Sequence, residues 1–347
     1  MKVQPPQTEP NAPDFDEGRL DAFLRGAIAG LEGALRIERV AGGQSNPTYY
    51  LSYDNRELVL RKQPPGQLLA SAHAVDREYR IITALAATDV PVPRTLLFYG
   101  ERDVVGTPFY VMERVAGRVP HDNAIPGAEP AERHAMYLAM CRTMAQLHRV
   151  DWQALGLSDY GKPGNYFARQ IARWSKQWEL SKTRELPDIE RLIVWLPAHI
   201  PEGDDETAIV HGDYRLGNLM FAPAEPRVVA VLDWELSTLG HPLADVAYNC
   251  IAWRTEPREH RGVRGLDLAA LGIPTEREYL EHYYAFSGRT SRVTGFHFAF
   301  ALFRLAVILE GIAARVRSGN AFGQDAALVG EQSVLFARRA VEAIEEG

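Results

Sequence analysis

The chain carries His211-Gly212-Asp213-Tyr214-Arg215-Leu216-Gly217-Asn218 and, further on, Leu232-Asp233-Trp234-Glu235. Between them, Leu219-Met220-Phe221, a turn-forming Ala222-Pro223-Ala224-Glu225-Pro226 and the apolar run Val228 to Leu232 read as a β-hairpin. A hairpin folded about Glu225 and Pro226 puts residue 218 roughly opposite residue 233. Asn218 and Asp233 then offer an amide and a carboxylate oxygen across paired strands. Such hard ligands suit Mg²⁺, which keeps waters and phosphate oxygens in its remaining positions. Asp213, five residues before Asn218, stands nearby as a separate acid.

This order of residues resembles the kinase catalytic loop, in which an Asp accepts the acceptor hydroxyl proton, an Asn five residues on holds metal, and a later Asp holds the same metal cluster. Glycine after His211, and Asp-Trp-Glu in place of Asp-Phe-Gly, resemble the aminoglycoside phosphotransferase family of small-molecule kinases, and within it the branch also found fused to acyl-CoA dehydrogenase modules. The resemblance spans most of residues 35–250. It implies an α+β, bilobal, protein-kinase-like fold: a flexible tail over 1–15, a small antiparallel-sheet nucleotide-binding lobe over 16–115, and a larger, mainly helical lobe over 116–347. It also implies ATP and Mg²⁺ as cofactors, Asp213 as the catalytic residue, Asn218 and Asp233 as metal ligands, a structural role for His211, and Asp245 as a brace for the catalytic loop. Glu235 is a secondary metal candidate if the strand continues extended beyond Asp233.

At 347 residues, with 46% hydrophobic and 24% charged positions, the chain is long enough for two lobes with a substantial core. A net charge of −7 argues against a nucleic-acid partner, which usually demands a basic face. Met1 to Pro13 has prolines at 5, 6, 10 and 13 and no apolar run, so it reads as neither signal peptide nor anchor. Phe296 to Leu309 is apolar but interrupted by His297 and Arg304, and reads as a buried helix rather than a membrane span. Cys141 and Cys250 show no metal or redox spacing, which suits reduced core thiols in the cytoplasm.

Leu20, Phe23, Leu24 and Ile28 have helical spacing within 16–31. Strands are expected at 35–40, 48–53, 58–62, 96–98 and 109–115, with a helix over 71–87 stopped by Pro91 and Pro93. Met136, Met140, Met144 and Leu147 form a core stripe on a helix over 131–150, with His148 as a structural histidine at its end. Asp245 opens a helix with apolar positions 243, 246, 247, 250 and 251, and Thr275-Glu276-Arg277-Glu278 has the pattern of a capping box.

Gly42-Gly43-Gln44-Ser45-Asn46 lies between the first two strands, where Gly42, Gly43, Ser45 and Asn46 could bring backbone N–H groups close to phosphates. Arg61 and Lys62 follow on a strand and so face opposite ways, and alternation leaves open which one reaches the phosphates. The family pattern implies Arg61, an arginine where lysine is commoner, paired with Glu78 on the next helix. It also implies that the backbones of Glu113 and Val115 meet the adenine edge.

For the acceptor, Gly161 to Arg184 carries six positive charges against the single acid Glu179, with Trp174 and Trp178 interleaved. Arg169, Arg173 and Trp174 are candidate contacts, although the same basic residues could form the solvated face of a helix. Tyr214, Arg215 and Arg254 are further candidates. A basic cleft would repel an aminoglycoside and attract a carboxylate, phosphate or coenzyme A thioester. The expected partner is a small hydroxylated molecule, of hydroxy-acid or hydroxyacyl-CoA type. An aminoglycoside acceptor, and a nucleotide-binding module without turnover, are the alternatives.

Overall fold

The structure is a computed structural model that describes residues 13–40, 46–66, 74–203, 205–317 and 326–346. The candidate loop residues Gly42, Gly43, Gln44 and Ser45 lie outside this set. The chain forms two compact units that meet in sequence at Ala116 and Gly117.

The first unit begins with α1 (Glu17–Ala27), started by Asp16, whose carboxylate accepts from Arg19 N–H at 2.8 Å. Strands β1 (Arg36–Arg39), β2 (Thr48–Ser52), β3 (Glu57–Lys62), β4 (Thr95–Tyr99) and β5 (Phe109–Glu113) form an antiparallel sheet in the order β1-β2-β3-β5-β4. α2 (Val75–Leu85) packs on β4 and β5. Leu20 and Leu24 of α1 join Leu51, Leu58, Leu60, Phe109 and Val111 in one core cluster. Strand alternation therefore turns Lys62, with Leu58 and Leu60, toward the α1 side, and Arg61 toward the opposite side.

The second unit holds α3 (Pro130–Arg149), α4 (Tyr166–Ser181), α5 (Pro187–Ala198), β6 (Ala208–Val210), β7 (Leu219–Phe221), β8 (Val228–Val231), β9 (Thr238–Gly240), α6 (Pro242–Asn249), α7 (Ile251–Arg254), α8 (Leu268–Leu271), α9 (Glu276–Ser287), α10 (Gly295–Arg317) and α11 (Ala326–Glu345). α10 is longer than its apolar run suggested. It is long and apolar enough to cross a membrane, but 83% of its most apolar window is buried inside the protein, packed by α11, α4 and α6. Met136, Met140, Met144 and Leu147 are buried on α3, as the stripe required. The capping box at Thr275 is formed: its hydroxyl accepts from Glu278 N–H at 3.3 Å and the Glu278 carboxylate accepts from Thr275 N–H at 2.8 Å.

The hairpin exists, with its register one residue from expectation. Leu219 pairs with Val231, and Leu232 N–H donates to Asn218 C=O at 2.9 Å, so residue 218 faces 232 rather than 233. A bulge between Met220 and Phe221 is where the pairing shifts. Asp233 then leaves the ribbon with φ 65°, and Trp234–Leu236 form a single 3₁₀ turn. Glu235 consequently does not continue an extended strand, and the basis for grouping it with Asp233 is lost.

Candidate active site

The loop after β6 is held by a buried carboxylate. Asp245, in the first turn of α6, accepts from the N–H of His211 at 2.6 Å and of Gly212 at 2.8 Å. Burial pushes its pKa up, but the hydrogen bonds from the His148 ring and the His211 N–H outweigh this and hold it below the usual carboxylate value. Burial holds His148 below its own usual value, so the neutral ring spans Asp245 at 3.4 Å and Tyr283 at 2.8 Å. Gly212 has φ 83°, and a Cβ there would lie 2.6 Å from the Leu236 carbonyl oxygen. Its own carbonyl accepts from Arg304 at 2.6 Å. Only glycine meets both demands.

His211 has a structural role. Its Nδ1 accepts from Asp213 N–H at 3.2 Å, which leaves Nε2–H to donate to Leu232 C=O at 2.8 Å. One imidazole thereby ties the loop carrying Asp213 to the strand end carrying Asp233. Trp234 packs on that ring, with centroids 4.8 Å apart, and its indole N–H donates to Val231 C=O at 2.9 Å.

Asp213 is gripped from three sides. Its Oδ1 accepts from the Tyr248 hydroxyl at 2.5 Å, and Oδ2 accepts from Asn218 Nδ2 at 2.7 Å and Arg215 Nε at 3.2 Å. Burial raises its pKa, while the Arg215 charge and the hydrogen bonds from Tyr248 and Asn218 lower it further, leaving a net depression. The carboxylate is ionised at neutral pH and fixed in direction. Asn218 Nδ2 also donates to Asp213 C=O at 2.9 Å, so the amide's Oδ1 is the end left for a cation. Among the described residues no group of three His, Cys, Asp or Glu side chains could hold a metal. One amide and one carboxylate at the same end of a ribbon are instead the sparse donor set that suits Mg²⁺ shared with phosphates.

In the first unit, Arg61 Nε lies 2.8 Å from the buried Glu78, the pairing that the family pattern implied. Lys62 points the other way and, at 1% exposure, pairs with Asp14 at 2.9 Å. The Asn46 side chain is buried and donates to Glu78 Oε1 at 2.5 Å, so its amide anchors that pair. Tyr110 completes the cluster, its hydroxyl donating to Glu78 Oε2 at 3.1 Å. Glu113 N–H is spent on Arg94 C=O at 2.9 Å and its carboxylate on Arg94 and Arg56, which removes it as a donor to a base. Val115 lies just beyond β5.

The acceptor candidates separate. Tyr214 is fully buried with its hydroxyl on Met140 C=O at 2.8 Å, a core residue rather than a contact. Arg254 is held by Glu276 at 2.8 and 2.9 Å and lies over Phe298, beside a different cavity from the one next to the catalytic loop. Arg169 is spent on the carbonyls of Lys162 and Gly164. Arg173 is exposed and lies 5.3 Å over Trp174. Trp174 in turn faces Arg304, which lies 5.6 Å over the Tyr248 ring. Arg215 remains: with Leu216 and Tyr248 it lines a cavity of about 470 Å³. Tyr248 and Arg304 went unnoticed in the sequence. Tyr248 sits three residues after Asp245 on one helix face, a spacing that could have pointed to it.

A buried brace, an oriented acid and an amide beside a strand-end carboxylate form the kind of arrangement that phosphoryl transfer uses. The model of the family described as "Phosphotransferase enzyme family" matches residues 36–288, and the chain belongs to that family, with a protein-kinase-like fold. It is 44% identical over 333 residues to acyl-CoA dehydrogenase family member 10 of Mus musculus, covering 94% of this chain but 31% of that protein. The chain thus spans about a third of that relative. A solved Ralstonia eutropha protein, provisionally named an aminoglycoside phosphotransferase, is 48% identical, with TM-score 0.88 over 96% of this chain and 99% of that one. Aminoglycoside phosphotransferase APH(4)-Ia, solved with AMP-PNP and hygromycin B, shares the fold at 17% identity, with TM-score 0.59 over 92% of this chain and 97% of that one.

Proposed function

We propose that the chain moves the γ-phosphoryl group of ATP to a hydroxyl of a small anionic metabolite, of hydroxy-acid or hydroxyacyl-CoA type. The observation that carries this reading is the Asp213 carboxylate, ionised and aimed by Tyr248, Asn218 and Arg215. The acceptor oxygen forms a bond to the γ-phosphorus as the bond to the β–γ bridging oxygen breaks and ADP leaves. The acceptor proton passes to an Asp213 oxygen. A depressed pKa suits late proton uptake, because the loose transition state needs little deprotonation of the nucleophile. Asn218 Oδ1 and Asp233 would hold Mg²⁺, which supplies neutralisation of phosphate charge. In the first unit the buried Glu78 orients Arg61, a guanidinium suited to gripping phosphate oxygens.

An aminoglycoside acceptor is favoured by the name given to the Ralstonia protein. Against it, among the described residues no aspartate or glutamate lines the cavity that Arg215 and Tyr248 share. ADP release measured with hydroxy acids, hydroxyacyl-CoA esters and aminoglycosides discriminates the two. Turnover with the anionic acceptors, abolished in Asp213→Asn while Mg-ATP still binds, is the expected result. Turnover with aminoglycosides alone refutes the anionic reading.

A further inference from the structure

The cavity beside the catalytic loop has a second wall that catalysis leaves unused. Arg258, His260 and Arg261 line it together with His121 and Arg215. They sit on a turn after α7 whose backbone is unusual: His260 has φ 61° and Arg261 φ 57°, consecutive non-glycine residues in the left-handed region. Such conformations persist only where the surroundings impose them.

The surroundings here do so from three directions. Gly262 N–H donates to Glu256 C=O at 3.0 Å, and a Cβ on residue 262 would lie 1.9 Å from the Thr255 carbonyl oxygen. Asn123 donates to Arg261 C=O at 2.9 Å, and Arg261 Nη1 returns a bond to His121 C=O at 2.9 Å. From α11, Arg339 pairs with Glu259 at 2.9 Å and Phe336 packs edge-on against His260, with centroids 5.6 Å apart. Three separate segments hold the turn in a conformation that its own residues disfavour.

The charges it presents are under-compensated. Arg215 is answered by Asp213, and Arg258, whose side chain is 85% exposed, by Glu256 at 3.2 Å. Among the described residues Arg261 pairs with no carboxylate; its bond to the chain is the one to the His121 carbonyl. His260 is exposed beside the guanidiniums of Arg215 and Arg261, with Asp213 as the acid that opposes them.

We infer that Arg258, His260 and Arg261 form a clamp for a phosphate or carboxylate group carried by the acceptor, so that the substrate is gripped by its charge while its hydroxyl lies at Asp213. This rests on the phosphotransfer reading for the word acceptor, and the clamp itself can be tested without turnover. Guanidiniums grip either oxyanion in a bidentate way, and the His260 ring adds an N–H donor. A cavity of about 470 Å³ is within the usual range for a small-metabolite site.

The test titrates inorganic phosphate and, separately, succinate into the full chain saturated with a non-hydrolysable ATP analogue and Mg²⁺. Wild type is compared with Arg258→Gln, Arg261→Gln and the double variant. Arg258 is exposed enough for its variant to keep the fold, which circular dichroism checks. The clamp requires at least tenfold weaker binding of one anion in the double variant. Phosphate preference marks a phosphorylated or coenzyme A acceptor, and succinate preference a free acid. Equal binding of both anions by wild type and double variant, or no binding by wild type, overturns the clamp. Anion binding through the turn with no ADP release from any acceptor refutes phosphotransfer alone. Turnover with unchanged acceptor KM in both single variants refutes the clamp alone.

Discussion

The Tyr248 hydroxyl donates to Asp213 Oδ1 at 2.5 Å, joining the first α-helix after the β7–β8 ribbon to the acid proposed to take the acceptor proton. That contact fixes the carboxylate's rotation and helps hold its pKa down. In Tyr248→Phe, kcat should fall about 10- to 100-fold, the worth of roughly 1.5–3 kcal/mol for a hydrogen bond to a charged group. Asp213's pKa should rise, so the acidic limb of the kcat profile moves to higher pH. KM for ATP should be unchanged, and steady-state kinetics across pH measure all three.

Gly212→Ala should destabilise the second unit. The added Cβ meets a backbone oxygen at 2.6 Å and the residue must keep φ 83°. Strain of this kind is worth on the order of 1–3 kcal/mol, visible as a lowered Tm together with loss of activity. An unchanged Tm would show that the Leu236 carbonyl can move aside.

Arg61 and Lys62 should separate cleanly. Lys62→Met replaces a buried ammonium that pairs with Asp14, a stability change that leaves KM for ATP alone. Arg61→Lys keeps the charge beside Glu78 but loses the planar fork, and should raise KM for ATP several-fold with little change in Tm. The opposite pattern would move the phosphate contact to Lys62.

Asp245 predicts an acid limit. Its folded pKa lies below the ordinary value, so its contribution to stability is complete above the unfolded pKa, about 3.9, and is lost as pH falls through the folded value. Asp245→Asn should be less stable than wild type at pH 7, with the gap narrowing below about pH 4. Denaturant midpoints at the two pH values check this. A gap constant with pH would mean that the carboxylate's charge is not what holds the His211 and Gly212 amides.

The sequence made the chemistry easier to read than its setting. Asp213, Asn218 and Asp233 were visible because a turn-rich connection between two apolar runs brings their positions together whatever the exact register. The register differs by one because the turn centres between Ala224 and Glu225, one position earlier than expected, and the bulge at Met220 and Phe221 makes up only part of the offset. Lys62 and Arg61 could not be ranked by alternation, since the choice depended on which face α1 covers. On the acceptor side, the basic stretch on α4 reads as a cleft wall in the sequence, whereas in the structure Arg169 is spent on the Lys162 and Gly164 carbonyls and Arg173 lies exposed over Trp174. The turn holding His260 and Arg261 gave no signal, because its shape is imposed by α11 and residues 121–123, distant in the chain.

Between Asp233 and β9 the chain has only Trp234 to Ser237 before it is stitched to β6. Enzymes of this architecture that are switched by signals rely on a long movable strap at this point, and here no slack exists for one. A segment that is ordered or released by phosphorylation has no room at this point of the fold.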